Sequence, residues 1–225
     1  MTVLITGGAG FIGSHLARAF LQRGERVVAV DDLSTGKMAN IKEFDNNPNF
    51  SFFKDSVFNV GLMDNLVKYS DIVFHLAAAV GVHYIMEKPL HALQTNIEGT
   101  DVMLKLCNQH NKKVVITSTS EIYGKSDKAL FNEDDAMVIG STSISRWGYA
   151  CSKAIDEFLS FAYNREKGLK VIIIRLFNTV GPGQSAEFGM VVPRFVKQAL
   201  NNEEITVYGD GKQSRCFVHV IDVIK

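Results

Sequence analysis

Neither sign of charge predominates in this chain of 225 residues, where 24 lysines and arginines stand against 24 aspartates and glutamates at a pI near 7.0. That balance leaves no basic footprint for nucleic acid or for an anionic membrane surface. Cysteine is scarce: Cys107, Cys151 and Cys216 lie far apart, with no CxxC and no His/Cys ligand spacing. This excludes a disulfide framework, argues against a bound metal and points to a reducing compartment. The start of the chain carries no basic leader, and its first basic residue is Arg18. No apolar run approaches the ~20 residues that cross a bilayer; Val171–Ile174 stops at Arg175. A cytoplasmic protein without nucleic-acid or membrane partners is the expectation. A hydrophobic content of 46% separates the chain from disordered sequences.

What is present is an alternation of short β-branched runs with longer segments of helical period, the pattern of a parallel sheet with crossover helices. Strands are predicted at Thr2–Thr6, Arg26–Asp31, Asn49–Lys54, Asp71–His75, Lys113–Ser118 and Lys170–Leu176. Their near-continuous apolar character suits strands covered on both faces. Helices are predicted at Phe11–Arg23, Pro89–His110, Trp147–Lys167 and about Met190–Asn201, with Gly24 as a stop for the first. The polar stretch Lys125–Ser145 is too long for an ordinary connection, and such loops tend to be functional. After Gly181 the rhythm changes to loops, one helix and short strands near Ile205–Tyr208 and Cys216–His219, with a new helix starting at Ile221. The expected fold is therefore α/β, a Rossmann-type doubly wound parallel sheet over residues 1–180. Residues 181–225 read as the start of a small, incomplete C-terminal substrate lobe.

The first strand runs into Thr6-Gly7-Gly8-Ala9-Gly10-Phe11-Ile12-Gly13, with Gly7, Gly10 and Gly13 at GxxGxxG spacing. Glycines there permit positive φ, let backbone approach a pyrophosphate and bring the helix close to the sheet, while the first helical amides face the anion. Asp31, 18 residues beyond Gly13, ends the second strand. A carboxylate there accepts hydrogen bonds from ribose hydroxyls and repels a 2′-phosphate, so NAD is favoured over NADP; Asp32 is the competing choice. Tyr149-Ala-Cys-Ser-Lys153 is YxxxK on a predicted helix, both side chains on one face. An ammonium beside a phenol is expected to lower the phenol pKa, making Tyr149 a base for a sugar hydroxyl. The hydroxyl cluster Thr117-Ser118-Thr119-Ser120 followed by Glu121 closes the fifth strand, at the end where doubly wound sheets bind ligands.

Together these residues resemble the extended short-chain dehydrogenase/reductase family, specifically its NAD-dependent nucleotide-sugar epimerases, dehydratases and decarboxylases. Further matching segments are Asp31–Lys37, Phe74–Ala78, Thr95–Thr100, Arg175–Asn178 and Tyr208–Gly211 leading to Arg215. The resemblance implies Thr119, Tyr149 and Lys153 as catalytic residues, with Ser120 and Glu121 beside them and Lys153 holding the nicotinamide ribose. It places Gly7, Gly10, Phe11, Ile12, Gly13, Asp31, Asp32, Ser34, Gly36 and Lys37 along the dinucleotide. Asp55, Ser56 and Val57 fall at the adenine end, and Leu76, Ala77, Ala78 and Asn96 are implied cofactor contacts as well, Asn96 shaping the helix beneath the site. Asn178, Val191, Tyr208 and Arg215 are implied substrate contacts, Asn178 and Arg215 at the diphosphate and Tyr208 beside a uracil ring. A UDP-sugar substrate and a homodimer formed through the two long helices are implied as well.

The family shares oxidation at sugar carbon 4, and its branches differ in the fate of the resulting ketone. The 4,6-dehydratases carry Asp-Glu after the catalytic threonine, whereas this chain has Ser120-Glu121. Thr-Ser-Glu resembles UDP-glucuronate decarboxylases. Those usually continue Gly-Pro-Arg where this chain reads Gly181-Pro182-Gly183. Ala79–Val82 and Arg146–Tyr149 look more like UDP-sugar 4-epimerases, and 4-epimerisation is the reaction expected, with decarboxylation as the alternative. Family members normally run further, so a chain naturally ending at residue 225 would instead be expected to bind NAD without turnover.

Overall fold

The computed structural model describes residues 1–126, 128, 130–186 and 190–225, apart from the side chains of Val82 and His83. Its strands are β1 (Thr2–Thr6), β2 (Arg26–Val30), β3 (Phe50–Phe53), β4 (Ile72–His75), β5 (Lys113–Thr119), β6 (Val171–Leu176), β7 (Asn178–Val180) and β8 (Phe217–His219). The helices are α1 (Phe11–Gln22), α2 (Val60–Lys68), α3 (Val82–Glu87), α4 (Pro89–Gln109), α5 (Arg146–Lys167), α6 (Val191–Leu200) and α7 (Val220–Val223). The first six strands form one parallel sheet in the order β3-β2-β1-β4-β5-β6. The chain therefore winds outward from β1 in one direction and from β4 in the other. The crevice at their C-terminal ends is where the crossovers part, which is where such sheets bind ligands.

Alternation along β1 divides the core between the two faces of the sheet. Leu4 packs on one side with Met63, Val67, Met103, Leu104 and Val114, beneath α2 and α4. Val3 and Ile5 pack on the other with Leu16, Ala17 and Phe20 of α1 and with Ile41 and Phe44. Pro89 occupies the first turn of α4, where its missing N–H costs nothing. Gly168, in the left-handed conformation, ends α5 and lets the chain turn back into β6.

Several expectations are corrected. The segment Ile205–Tyr208 is not a strand. Its polar groups are taken up by α6, whose Gln198 Nε2 donates to Thr206 Oγ1 at 2.8 Å. The partner of β8 is instead β7, in parallel register from Asn178↔Phe217 to Val180↔His219, a pairing that spans residue 180. The helix expected from Ile221 begins one residue earlier, its first turn capped by the ring nitrogen of His219. Helices α2 and α3 were not anticipated; α2 starts where the Asn59 side chain accepts from the Leu62 N–H at 3.2 Å. Among the described residues, no helix is long and apolar enough to cross a membrane.

Candidate active site at the sheet's C-terminal edge

The glycine loop is built by backbone clearance. Gly7 adopts φ +73° and donates its N–H to the Val30 carbonyl at 2.8 Å. A Cβ on Gly7 would stand 2.8 Å from the Ala77 nitrogen, and one on Gly13 would stand 2.2 Å from the Gly7 carbonyl oxygen. Gly10 precedes α1 in extended conformation with no side-chain cap, so the first-turn amides after Phe11 and Ile12 carry no side-chain acceptor at that position. First-turn amides without a side-chain cap, at the start of a helix, fit a dinucleotide's pyrophosphate.

Asp31, not Asp32, lies against this loop. Its Oδ2 accepts from the Ala9 N–H at 3.0 Å and its Oδ1 from the Leu33 N–H at 2.8 Å. Burial raises its pKa, opposed by those amides. Gly36 closes over it, since a Cβ there would sit 2.6 Å from Oδ1. Asp32 is exposed and accepts only locally, from the Ser34 N–H at 2.8 Å, while the Lys37 N–H donates to the Ala9 carbonyl at 3.0 Å. Farther along the edge, Asp55 accepts from Ser56 N–H at 2.7 Å and Asn59 Nδ2 at 2.8 Å, and Val57 is buried against Gly99 of α4. Leu76, Ala77 and Ala78 follow β4, with Leu76 N–H donating to the Thr6 carbonyl at 3.1 Å.

Asn96 joins three elements. Buried on α4, it accepts from the Ala79 N–H at 2.7 Å and donates to the Ala79 carbonyl at 3.3 Å and to Ser152 Oγ on α5 at 3.2 Å. It also lines a cavity of about 160 Å³ with Tyr149, Ser152, Ser145 and Ile85. Thr119 ends β5 and accepts from the Glu121 N–H at 3.2 Å, with Ser120 half-buried between them. Tyr149 faces this corner: its phenol interacts with the Thr119 hydroxyl and feels the Glu121 carboxyl.

The expected fall in the Tyr149 pKa is not found. Burial raises it, and Glu121 and Asp156 raise it further, against the Thr119 hydrogen bond. The reason is that Lys153 engages another partner, its Nζ lying 3.0 Å from Asp156 Oδ2 in a buried pair. Glu121 also has a raised pKa, from burial of its carboxyl, moderated first by Arg146 and then by Arg215. The charge of Arg215 is thus felt at this corner, although its own hydrogen bond goes to the Ser214 carbonyl at 2.7 Å. The other residues expected at the substrate lie in their own surroundings. Asn178 is exposed and donates to the Cys216 carbonyl at 2.9 Å, and Val191 opens α6. Tyr208 packs under the Arg194 guanidinium, 4.8 Å from ring centroid to carbon.

Sequence reasoning did not single out Asp156, His75 or the Arg175–Glu157 pair. His75 is buried, its Nδ1 2.7 Å from Thr6 Oγ1, and burial followed by the Lys153 charge lowers its pKa to about 3. Arg175 grips both oxygens of Glu157 at 2.9 and 2.7 Å and donates to the Glu133 carbonyl, tying the 125–145 loop to α5. The legible signal for Asp156 was its i,i+3 spacing from Lys153.

A family model described as the NAD dependent epimerase/dehydratase family matches residues 3–225. A UDP-N-acetyl-alpha-D-glucosaminuronate decarboxylase of Bacillus cytotoxicus is 43% identical over 223 residues, covering 99% of this chain and 68% of that protein. UDP-glucuronic acid decarboxylase 4 of Arabidopsis thaliana is 38% identical across the whole chain, which spans 49% of its length. Among solved structures, the UDP-glucose 4-epimerase of Thermotoga maritima with UDP-glucose superposes with TM-score 0.89 at 33% identity, over 100% of this chain and 71% of that one. The UDP-glucuronic acid 4-epimerase of Bacillus cereus, with UDP-glucuronic acid and NAD, gives 0.90 at 32% over the same shares.

Proposed function

The chain belongs to the NAD dependent epimerase/dehydratase family, and from that premise we propose that it oxidises carbon 4 of a UDP-hexuronate and releases the sugar carboxyl as carbon dioxide. NAD, when bound, supplies the acceptor that takes hydrogen from carbon 4 as hydride and later gives it back. On this reading Gly7, Gly10, Phe11, Ile12 and Gly13 hold the pyrophosphate, and Asp31 with Ser34, Gly36 and Lys37 holds the adenosine ribose. Asp55, Ser56 and Val57 meet the adenine, and Lys153 holds the nicotinamide ribose. Thr119 orients the carbon-4 hydroxyl, Tyr149 exchanges its proton, and Asn178, Tyr208 and Arg215 meet the UDP. Residues 1–180 form the NAD-binding domain and residues 181–225 the beginning of the substrate lobe. The exposed Ile155, Phe158 and Phe161 of α5 suit pairing with a second copy.

The observation that carries the reading is the setting of Glu121. A 4-ketone makes the hexuronate a β-keto acid: the bond from carbon 5 to the carboxyl carbon breaks, its electrons move into the enolate, and carbon dioxide leaves. Carbon 5 then needs a proton. Glu121, whose carboxyl pKa is pushed above the ordinary range by burial, acts electrostatically on Tyr149 and is the group proposed to deliver that proton, while the charges of Arg146 and Arg215 act on the same carboxyl and suit an anionic sugar. The sum is UDP-hexuronate plus a proton giving UDP-pentose and carbon dioxide.

One observation favours 4-epimerisation instead. Gly183 takes φ +83° where the decarboxylase pattern has arginine, a conformation that side-chain-bearing residues avoid. In that reading carbon 4 regains hydrogen on its opposite face and no carboxyl is needed. Incubation with NAD⁺ and either UDP-glucuronate or UDP-glucose, followed by mass and NMR analysis of the products, separates the two. Loss of carbon dioxide from the uronate is expected. An isomer of unchanged mass establishes the epimerase, and bound NAD with neither product leaves a binding protein without turnover.

A further inference from the structure

The proposed chemistry leaves one buried charge without a task. Asp156 lies three residues beyond Lys153 on α5 and is 0% exposed, and Lys153 is 2% exposed. Neither charge can be relieved by water. Asp156 Oδ2 accepts from Lys153 Nζ at 3.0 Å. Its other side faces the Thr100 hydroxyl of α4; burial pushes its pKa up, opposed by Lys153 and by that hydroxyl. A carboxylate is costly in a protein interior unless a counter-charge offsets its burial. The one opposite charge it touches is the Lys153 ammonium.

We propose that Asp156 is a positioning residue for Lys153, keeping the buried ammonium protonated and fixed on α5 one turn from Tyr149. The inference rests on the reading of Lys153 as the residue that holds the nicotinamide ribose, a task that needs both its charge and its place. The charged and titratable groups facing the pair from neighbouring elements do not replace Asp156. His75 on β4 is neutral above about pH 3. Glu157, next in the chain, is taken by Arg175. Glu121, after β5, acts on Tyr149 and faces Arg146 and Arg215. α4 contributes the neutral hydroxyl of Thr100.

A buried lysine without a counter-ion sheds its proton, with pKa falling by as much as several units. In Asp156→Asn, Lys153 should therefore titrate at least about one pH unit below wild type, read from the ¹³C shift of its ε-carbon and assigned by loss of that signal in Lys153→Met. The alkaline limb of kcat/KM should move down with it, and Asp156→Glu should restore both. A folded Asp156→Asn protein whose Lys153 titrates with wild type overturns the proposal. If Asp156→Asn does not fold, Lys153→Met/Asp156→Asn decides, because it leaves no orphan charge. NAD affinity equal to that of Lys153→Met alone supports action through Lys153, and a further loss overturns it. Should wild type bind no NAD, the functional reading fails, while the ε-carbon titration still settles whether Asp156 sets the lysine's charge.

Discussion

The two flanks of the crevice are made by different means. On the dinucleotide side, β1, α1 and β2 shape the site with backbone: Gly7 and Gly13 leave no room for a Cβ, and Asp31 is fixed by two amides. On the far side, from Asn178 onward, the residues proposed to meet substrate project from an open surface. Among the described residues after Val180, Val220 alone is buried. A site made of backbone tolerates no change, because nothing nearby can move aside. A site made of exposed side chains can change its ligand without endangering the fold, which is how one family comes to carry several reactions on one sheet.

The largest effect that tests this contrast is Gly13→Ala. Its Cβ would be forced to within 2.2 Å of the Gly7 carbonyl oxygen, a backbone atom. A loss of about 3 kcal/mol in a denaturant melt is expected, together with loss of NAD binding by titration. Wild-type stability in this variant would show that the loop can yield, and the contrast would collapse. Next in size is Tyr149→Phe, which keeps the ring and removes the proposed proton exchanger. Turnover should fall by roughly 10²–10⁴, with NAD affinity nearly intact. An unchanged rate would remove Tyr149 from the chemistry.

The same contrast governs what could be read from sequence. Thr2–Thr6, the glycine loop and Asp31 were legible because each is specified by neighbours within a few residues: an apolar run, three glycines, a strand end. Helix α2 was not, since its Gly61 and mixed polarity give a weak pattern, and it depends on the Asn59 cap and on Met63 and Val67 reaching the core. Ile205–Tyr208 has strand-like composition, yet Gln198 of α6 donates to the Thr206 hydroxyl and accepts from the Thr206 N–H, a contact no local pattern encodes. YxxxK placed Tyr149 and Lys153 on one helix face, but the lysine's choice of Asp156 over the phenol follows from burial, which spacing does not report.

A pH measurement sharpens the buried half of the comparison. His75 binds a proton only near pH 3 when folded, and near its ordinary 6.5 when unfolded. Between those values the unfolded chain holds more protons, so stability is full above the upper value and is lost as pH falls through the window. Its contribution to that loss across the whole window is on the order of 5 kcal/mol. His75→Asn keeps a polar group near Thr6 without the titration, so its melts at pH 7 and pH 4 should differ less than those of wild type. Equal acid sensitivity in the two proteins would mean that His75 is not held neutral.

The smallest expected change lies on the exposed flank. Arg215 is open to solvent, donates to its neighbour's carbonyl, and acts on the proposed catalytic corner through its charge on Glu121. Nothing in the folded core depends on it, so Arg215→Ala should shift the denaturation midpoint by no more than a surface substitution does, within about 0.5 kcal/mol. Its proposed contact with the substrate diphosphate is a charge-assisted hydrogen bond, whose loss is expected to raise KM for the UDP-sugar by roughly tenfold or more. A second consequence separates this residue from a simple phosphate anchor. Removing one of the two cations beside Glu121 lets its pKa rise further, so the acid is protonated to higher pH. The acid-dependent limb of kcat should therefore move up with KM. A raised KM with that limb unmoved would confine Arg215 to binding and leave Arg146 as the cation that tunes the acid.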